Sequence, residues 1–308
     1  MSDSDAERPR APAVFTIPAH RSFADSLVAG LRSRFGEGPL DLARGSILLP
    51  NNRAVRTVTE AFVRASGSGL VLPRLVPIGD PELEERIGGA LDPADASEPI
   101  PPAVDPLARL FALTALVADD GSGTAEALRL AADLARTLDA LLIEDVAAMR
   151  LADAADDAPE LARHWQLSLE RLRAILDRWP ALLAASGRID LAERRNRLLR
   201  AMAERWERAP PDGFTIAAGI TTAAPAVAAL LRRVADLPEG LVVLPGLSLS
   251  SVMPDEEWDG LGPDEQGRCE ESHPQFHLKL LLNRMGIARG EVRSVSYTHL
   301  TLPTICSV

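Results

Sequence analysis

Residues 45–64 read GSILLPNNRAVRTVTEAFVR, and the order of residue types in that stretch decides the fold. Ser46 to Leu49 is a short apolar run between Gly45 and Pro50, the form of a buried strand. Asn51 and Asn52, good N-cap residues, follow it, and Val55, Val58, Ala61 and Phe62 then recur at helical spacing. The stretch predicts strand, tight turn, helix. Such a turn sets Asn51, Asn52, Arg53 and Arg56 at the carboxyl end of the strand, beside a helix N-terminus. In open α/β sheets ligands bind along that edge, and the backbone N–H groups of a helix start suit phosphate. The plainer reading is one βα unit with a solvated pair of arginines.

The same strand–helix alternation recurs on both sides. Upstream, Val14 to Ile17 is a β-type run ending at Pro18, and Phe23, Leu27, Val28 and Leu31 share one face of a helix closing at Gly36. Residues 66–81 are loop-rich, with a possible third strand at 70–72. Far downstream, after Pro210 and Pro211, residues 214–217 and 241–244 form strands around a helix at 226–234. Apart from Thr215 both strands are apolar at every position, as strands covered on two faces are. Residues 248–274 read as an acidic irregular loop, and 276–285 as a last helix with Gly286 as its C′ cap.

Between these blocks the pattern changes. Residues 82–104 carry several Pro and Asp and suit a linker or lid, and 105–208 are helical throughout. Leu107, Leu110, Phe111, Thr114 and Val117 form one stripe, and Leu128, Ala131, Leu134, Leu138 and Leu141 a second. Leu161, Trp165, Leu169, Leu172, Leu176 and Trp179 step by three and four, with Pro180 expected to end or kink that helix. Asp190 opens a further helix with Leu191, Leu198, Met202 and Trp206 inward. The stripes are expected to be core. The fold class that follows is α/β, a P-loop-NTPase-like parallel sheet with an inserted all-helical subdomain. Residues 1–12 are a tail expected to be disordered, 13–81 and 210–294 are the two parts of the α/β domain, and 82–209 are the insertion. Residues 295–308 begin VSYTHLTLPT and resemble the translated end of a sequencing-library adapter. They are expected to be foreign to the protein, whose native chain is then expected to continue past residue 294.

At 308 residues and 46% hydrophobic, the chain has material for a sizeable core. Its net charge of −11 argues against a whole-surface nucleic-acid binder but leaves room for a local basic groove. Two cysteines make no disulfide framework, and neither a secretory leader nor a membrane-spanning run is visible, so a cytoplasmic location with no membrane partner is expected. The turn after the first strand, Pro18-Ala19-His20-Arg21-Ser22-Phe23, has neither the glycines nor the lysine of a phosphate loop. Asp120-Gly121-Ser122-Gly123-Thr124 also lacks the lysine, and Lys279, the only lysine, lies in the last helix. The strand at 241–244 ends in Pro-Gly rather than Asp-Glu, so no ATP hydrolysis is expected. Cys269, His273 and His277 are spaced C-x3-H-x3-H, but Pro274 breaks the register zinc would need. No G-x-S-x-G elbow is present. Arg188, Arg194, Arg195, Arg197, Arg200, Arg205 and Arg208 crowd one helix among Glu193, Glu204 and Glu207, either as solvated pairs or as a surface that tracks phosphates.

Several segments in order resemble one family: VFTIPAHRSFADSL, ILLPNNRAVRTVTEAFVR, LPRLVPIGD, ARHWQLSLERLRAILDRWP, IAAGITTAAPAVAALL, GLVVLPGLSL and HPQFHLKLLLNRMG. Together they are similar to AddB, the double-strand-break repair protein of proteobacterial helicase–nuclease complexes, from about Val14 to Val292. The resemblance implies a superfamily-1-like helicase fold with a degenerate ATP site, working beside an ATPase partner subunit and guiding or scanning single-stranded DNA. It places Asn51, Asn52, Arg53 and Arg56 where related helicases touch the DNA backbone, with Thr221 and Thr222 as weaker candidates. It implies an iron–sulfur cluster and a divalent metal only for a nuclease domain further downstream, so no cofactor and no catalytic or metal-binding residue is expected in this chain. Two rivals remain. A Rossmann-type small-molecule enzyme would need a Gly-rich first turn, and a purely structural docking protein would bind a partner and never DNA.

Overall fold

The computed structural model describes residues 11–36, 38, 40–67, 69–79, 100–118, 123–147, 163–264 and 267–295. In chain order the elements are β1 (Val14–Ile17), α1 (Phe23–Phe35), β2 (Ser46–Leu49), α2 (Asn52–Ala65), β3 (Arg74–Pro77), α3 (Pro106–Ala118), α4 (Thr124–Ile143), α5 (Arg163–Ala185) and α6 (Leu191–Arg208). There follow β4 (Thr215–Ala218), α7 (Pro225–Asp236), β5 (Gly240–Pro245), α8 (Asp255–Asp259), α9 (Phe276–Met285) and β6 (Arg293–Ser294). They divide into two compact units: residues 92–199 with 224–226 form one, and the remainder the other.

The larger unit is an α/β sheet in the order β3-β2-β4-β5-β1-β6, with every pairing parallel. The two outer thirds of the chain therefore share one sheet: β2 pairs with β4, Leu48 opposite Ala217, and β1 with β5, Val14 opposite Val242. Phe15, Ile17, Ile47, Leu49, Ile216 and Val243 point to one face, where Leu27, Val28 and Leu31 of α1 and Val58, Ala61 and Phe62 of α2 close the core. The alternate residues Val14, Leu48, Ala217, Val242 and Leu244 are just as buried, so both faces are covered. Continuous apolar strands are the sequence mark of that double burial.

Local features follow from residue type. Gly286 ends α9 in the left-handed conformation at φ 64°, as a C′ glycine should. Lys279 donates from Nζ to the Trp258 carbonyl at 2.7 Å, and the Arg289 guanidinium lies 4.8 Å from the centre of the Trp258 ring. These contacts pin the short acidic helix α8.

Several expectations are corrected. The third strand is Arg74–Pro77 rather than 70–72: Arg74 N–H donates to Gly45 O at 2.9 Å and opens the β2–β3 ladder, which the preceding Pro73, without an N–H, could not do. The loop at 248–274 contains α8, and a sixth strand, β6, lies beside β1. Val295 N–H then donates to Thr16 O at 3.1 Å, while the rest of the adapter-like tail lies outside the described residues. Of the two outcomes expected at Pro180, an end or a kink, the end is excluded, because helix α5 continues through it to Ala185.

The smaller unit is helical, with Leu113, Leu116, Ala131, Leu138, Leu176, Trp179 and Leu183 as its core. Leu161, Trp165 and Leu169 of the expected stripe lie outside the residues whose side chains are described. In α3 the buried face is Arg109, Leu113 and Leu116, whereas Leu107 and Phe111 of the expected stripe are 64% and 63% exposed. Leu128 of α4 is likewise turned partly outward. Helix α3 is apolar almost all round, so periodicity cannot choose its inner face; an ion pair does. Arg109 Nη1 donates to Asp139 at 2.9 Å, and its Nε lies 2.7 Å from Asp190 Oδ1 without aligned hydrogen-bond geometry. The other oxygen of Asp190 accepts from Trp179 Nε1 at 2.9 Å. Burial pushes the Asp190 carboxyl above its ordinary value, and the Arg109 charge and the Trp179 hydrogen bond oppose that push.

Candidate functional site

The carboxyl edge of the sheet collects the turns that follow each strand. After β2 the chain is extended at Asn51, whose side-chain oxygen accepts from Ala54 N–H at 3.0 Å and caps α2. Asn51 is thus engaged as a helix cap. Asn51→Ala should lower stability by about 0.5–2 kcal/mol in urea unfolding, the usual worth of such a cap; no change would mean that the cap is not formed. Asn52, Arg53 and Arg56 are exposed, and the first turn of α2 contains no acid to compete with an anion. Arg53 and Arg56, three apart, share a face of α2, and among the described residues neither has an acidic partner.

Thr221 and Thr222 lie far away in the chain but follow β4, the strand hydrogen-bonded to β2. The pairing of Leu48 with Ala217 brings the two turns to neighbouring strand ends, and both threonines are exposed. The sheet therefore assembles one short polar edge from Asn52, Arg53 and Arg56 on one side and Thr221 and Thr222 on the other. Hydroxyl, amide and guanidinium groups of this kind donate to phosphate and sugar oxygens.

The neighbouring part of the edge is filled. Gly219 and Gly246 end β4 and β5 with φ of 70° and 64°. A Cβ at Gly219 would lie 3.2 Å from the Phe23 ring, and one at Gly246 would lie 3.3 Å from Ala19 Cβ. The β1–α1 turn thus lies against the ends of β4 and β5, closed by an Arg21 N–H bond to Pro18 O at 3.0 Å. The turn after β5 is held in place too. Leu247 N–H donates to Thr16 Oγ1 at 3.0 Å, and Gln275 donates from Nε2 to Gly246 O at 2.9 Å. Neither the turn after β4 nor that after β5 presents a carboxylate.

No protein-family model and no curated protein matches the chain. The site therefore rests on its own geometry.

Two other sequence candidates behave differently. Among the described residues no three His, Cys, Asp or Glu side chains converge as a metal would need, and His273 Nδ1 instead accepts from Gln275 N–H at 3.2 Å. The arginine row is largely engaged: Arg188 donates to Ala103 O at 3.0 Å, Arg194 to Pro101 O at 3.1 Å, and Arg197 pairs with Glu193. These guanidiniums hold backbone carbonyls and a neighbouring acid, which the i,i+4 pattern alone does not distinguish from a phosphate-binding face. Among the described residues no helix is long and apolar enough to cross a membrane.

Proposed function

We propose that this chain is a helicase-like, ATPase-free part of a nuclease-bearing subunit in a double-strand-break-processing complex, and that it holds single-stranded DNA along the carboxyl edge of β2 and β4. The observation that carries this reading is the juxtaposition of Arg53 and Arg56 with Thr221 and Thr222 through the β2–β4 pairing. Two arginines on one face of a helix start, with no acid in its first turn, supply phosphate contacts. The degenerate ATP site belongs to the same reading: Phe23 and Ala19 stand against the ends of β4 and β5, and the first turn lacks a phosphate-binding lysine. The resemblance of the ordered segments to the AddB family supports the assignment to repair beside an ATPase partner.

The test is a salt-dependent titration of the chain with a fluorescent single strand. Arg53→Ala combined with Arg56→Ala should weaken binding about tenfold or more and flatten the salt slope by about 1.4, since each lost single-strand phosphate contact removes about 0.7. Unchanged affinity and slope in the double variant would overturn the DNA-binding assignment. A chain that binds a partner subunit but no strand would favour the docking reading.

A further inference from the structure

A groove of about 300 Å³ opens at the other end of β2, on the face turned away from α1 and α2. Its floor is two side-chain pairs in register across the β2–β3 ladder, Ser46 with Arg74 and Leu48 with Val76. Met202, Arg205 and Trp206 from the last turns of α6 line the groove as well, with Asp212. Met202 and Leu48 are buried, the Trp206 indole is half-buried, and the Arg74 and Arg205 side chains are exposed. Among the described residues neither of these guanidiniums has an acidic partner. Among the described residues Asp212 is the only carboxylate lining the groove, so Arg74 and Arg205 give it net positive charge in a chain of net charge −11.

Two guanidiniums brought to one small groove without an acid bound to either repel each other, and an oxyanion relieves that repulsion while accepting from both planar forks. The Trp206 indole lines the same groove with the apolar Leu48 and Met202, a surface suited to a flat ring. The volume is at the small end of the range of about 300–1,000 Å³ for small-ligand pockets and does not admit a helix. A ligand that is planar at one end and anionic at the other answers both halves. We propose that this groove binds a nucleotide, its base against Trp206 and its phosphate between Arg74 and Arg205. The ligand is either a free nucleotide or one residue of a single strand, which share that chemistry. The groove begins at the first residues of β2 and β3, away from the turn that carries Arg53, so the proposal stands apart from the DNA-edge reading.

The test titrates the chain with adenosine monophosphate, with a short single-stranded oligonucleotide and with inorganic phosphate, reading tryptophan emission and calorimetric heat. Arg74→Ala combined with Arg205→Ala should weaken nucleotide binding about tenfold or more, the worth of a charge-assisted hydrogen bond. Trp206→Leu should weaken it about fivefold or more while leaving inorganic phosphate unaffected, because stacking on the base is what it removes. Binding of the mononucleotide supports a free-nucleotide site, and binding of the oligonucleotide alone supports a strand site. Persistence of the signal in the Arg53→Ala plus Arg56→Ala chain separates this groove from the carboxyl edge. No binding of either nucleotide ligand, binding unchanged in the Arg74/Arg205 variant, or inorganic phosphate binding as tightly as the nucleotide would overturn the proposal. Thermal unfolding of each variant checks that the fold is intact, and the exposed Arg74 and Arg205 supply a test independent of any packing loss at Trp206.

Discussion

Arg109→Ala is expected to destabilise the helical unit by about 3–5 kcal/mol, the cost of breaking a buried ion pair by removing one partner. Arg109 is 7% exposed and lies between Asp139 of α4 and Asp190, which is 4% exposed. Truncation leaves the Asp190 carboxylate buried with only the Trp179 indole N–H as a donor. Arg109→Lys should fall in between, because one ammonium cannot serve both carboxylates as the guanidinium fork does. The measurement is urea unfolding followed by tryptophan emission, since Trp179 reports from inside the cluster. A wild-type midpoint for Arg109→Ala would overturn the account of why α3 buries its arginine.

The same cluster fixes a pH dependence. Burial raises the Asp190 carboxyl above its ordinary value of 3.8, so the folded chain keeps that proton at pH values where the unfolded chain has lost it. The stabilising contribution of Asp190 is complete below pH 3.8 and is lost as pH rises through the higher folded value. Asp190→Asn cannot titrate. The stability of wild type relative to Asp190→Asn should therefore fall as pH rises from below 3.8 toward neutrality. A difference that grows with pH would reverse the sign of this argument.

Gly45→Ala is the second large effect. A Cβ there would lie 2.1 Å from the Phe214 ring, which is itself stacked on Phe35 with centroids 4.3 Å apart. The Phe214 ring is buried and cannot yield without opening the core, and the backbone around Gly45 is equally committed. Gly45 O accepts from Arg74 N–H at 2.9 Å, and Ser46 N–H donates to Phe214 O at 2.9 Å, so any shift breaks the first rungs that β2 shares with β3 and β4. The expected loss is about 3 kcal/mol, the upper end for overpacking a filled core. Gly67→Ala is the control: nothing lies within 4 Å of a Cβ there, and the change should stay within about 0.5 kcal/mol. Equal midpoints for the two variants would mean that Phe214 does not close over the start of β2.

The βα rhythm was legible wherever burial acts on consecutive residues. β1, β2 and β5 are largely apolar runs because a strand covered on both faces buries nearly every position, and the one buried polar residue of β1, Thr16, accepts a hydrogen bond from Leu247 N–H. α2 declares itself through an Asn cap and the spacing of Val58, Ala61 and Phe62, all local signals. β6 was not legible, because Arg293 and Ser294 are a strand only through their pairing with Phe15 and Thr16. The burial of Arg109 was not legible either, since its partners are Asp139 of α4 and Asp190, the residue before α6.

By itself, then, the sequence determined the alternation of strand and helix, the helical block between the two βα regions and the missing phosphate-loop lysine, because each is written in neighbouring residues. Tertiary structure alone decided that Thr221 and Thr222 stand beside the turn of Arg53, and that Arg74 and Arg205 share a groove with Trp206. Strand order and helix docking bring such residues together by burying surface from distant parts of the chain, and no local pattern encodes which strand becomes whose neighbour.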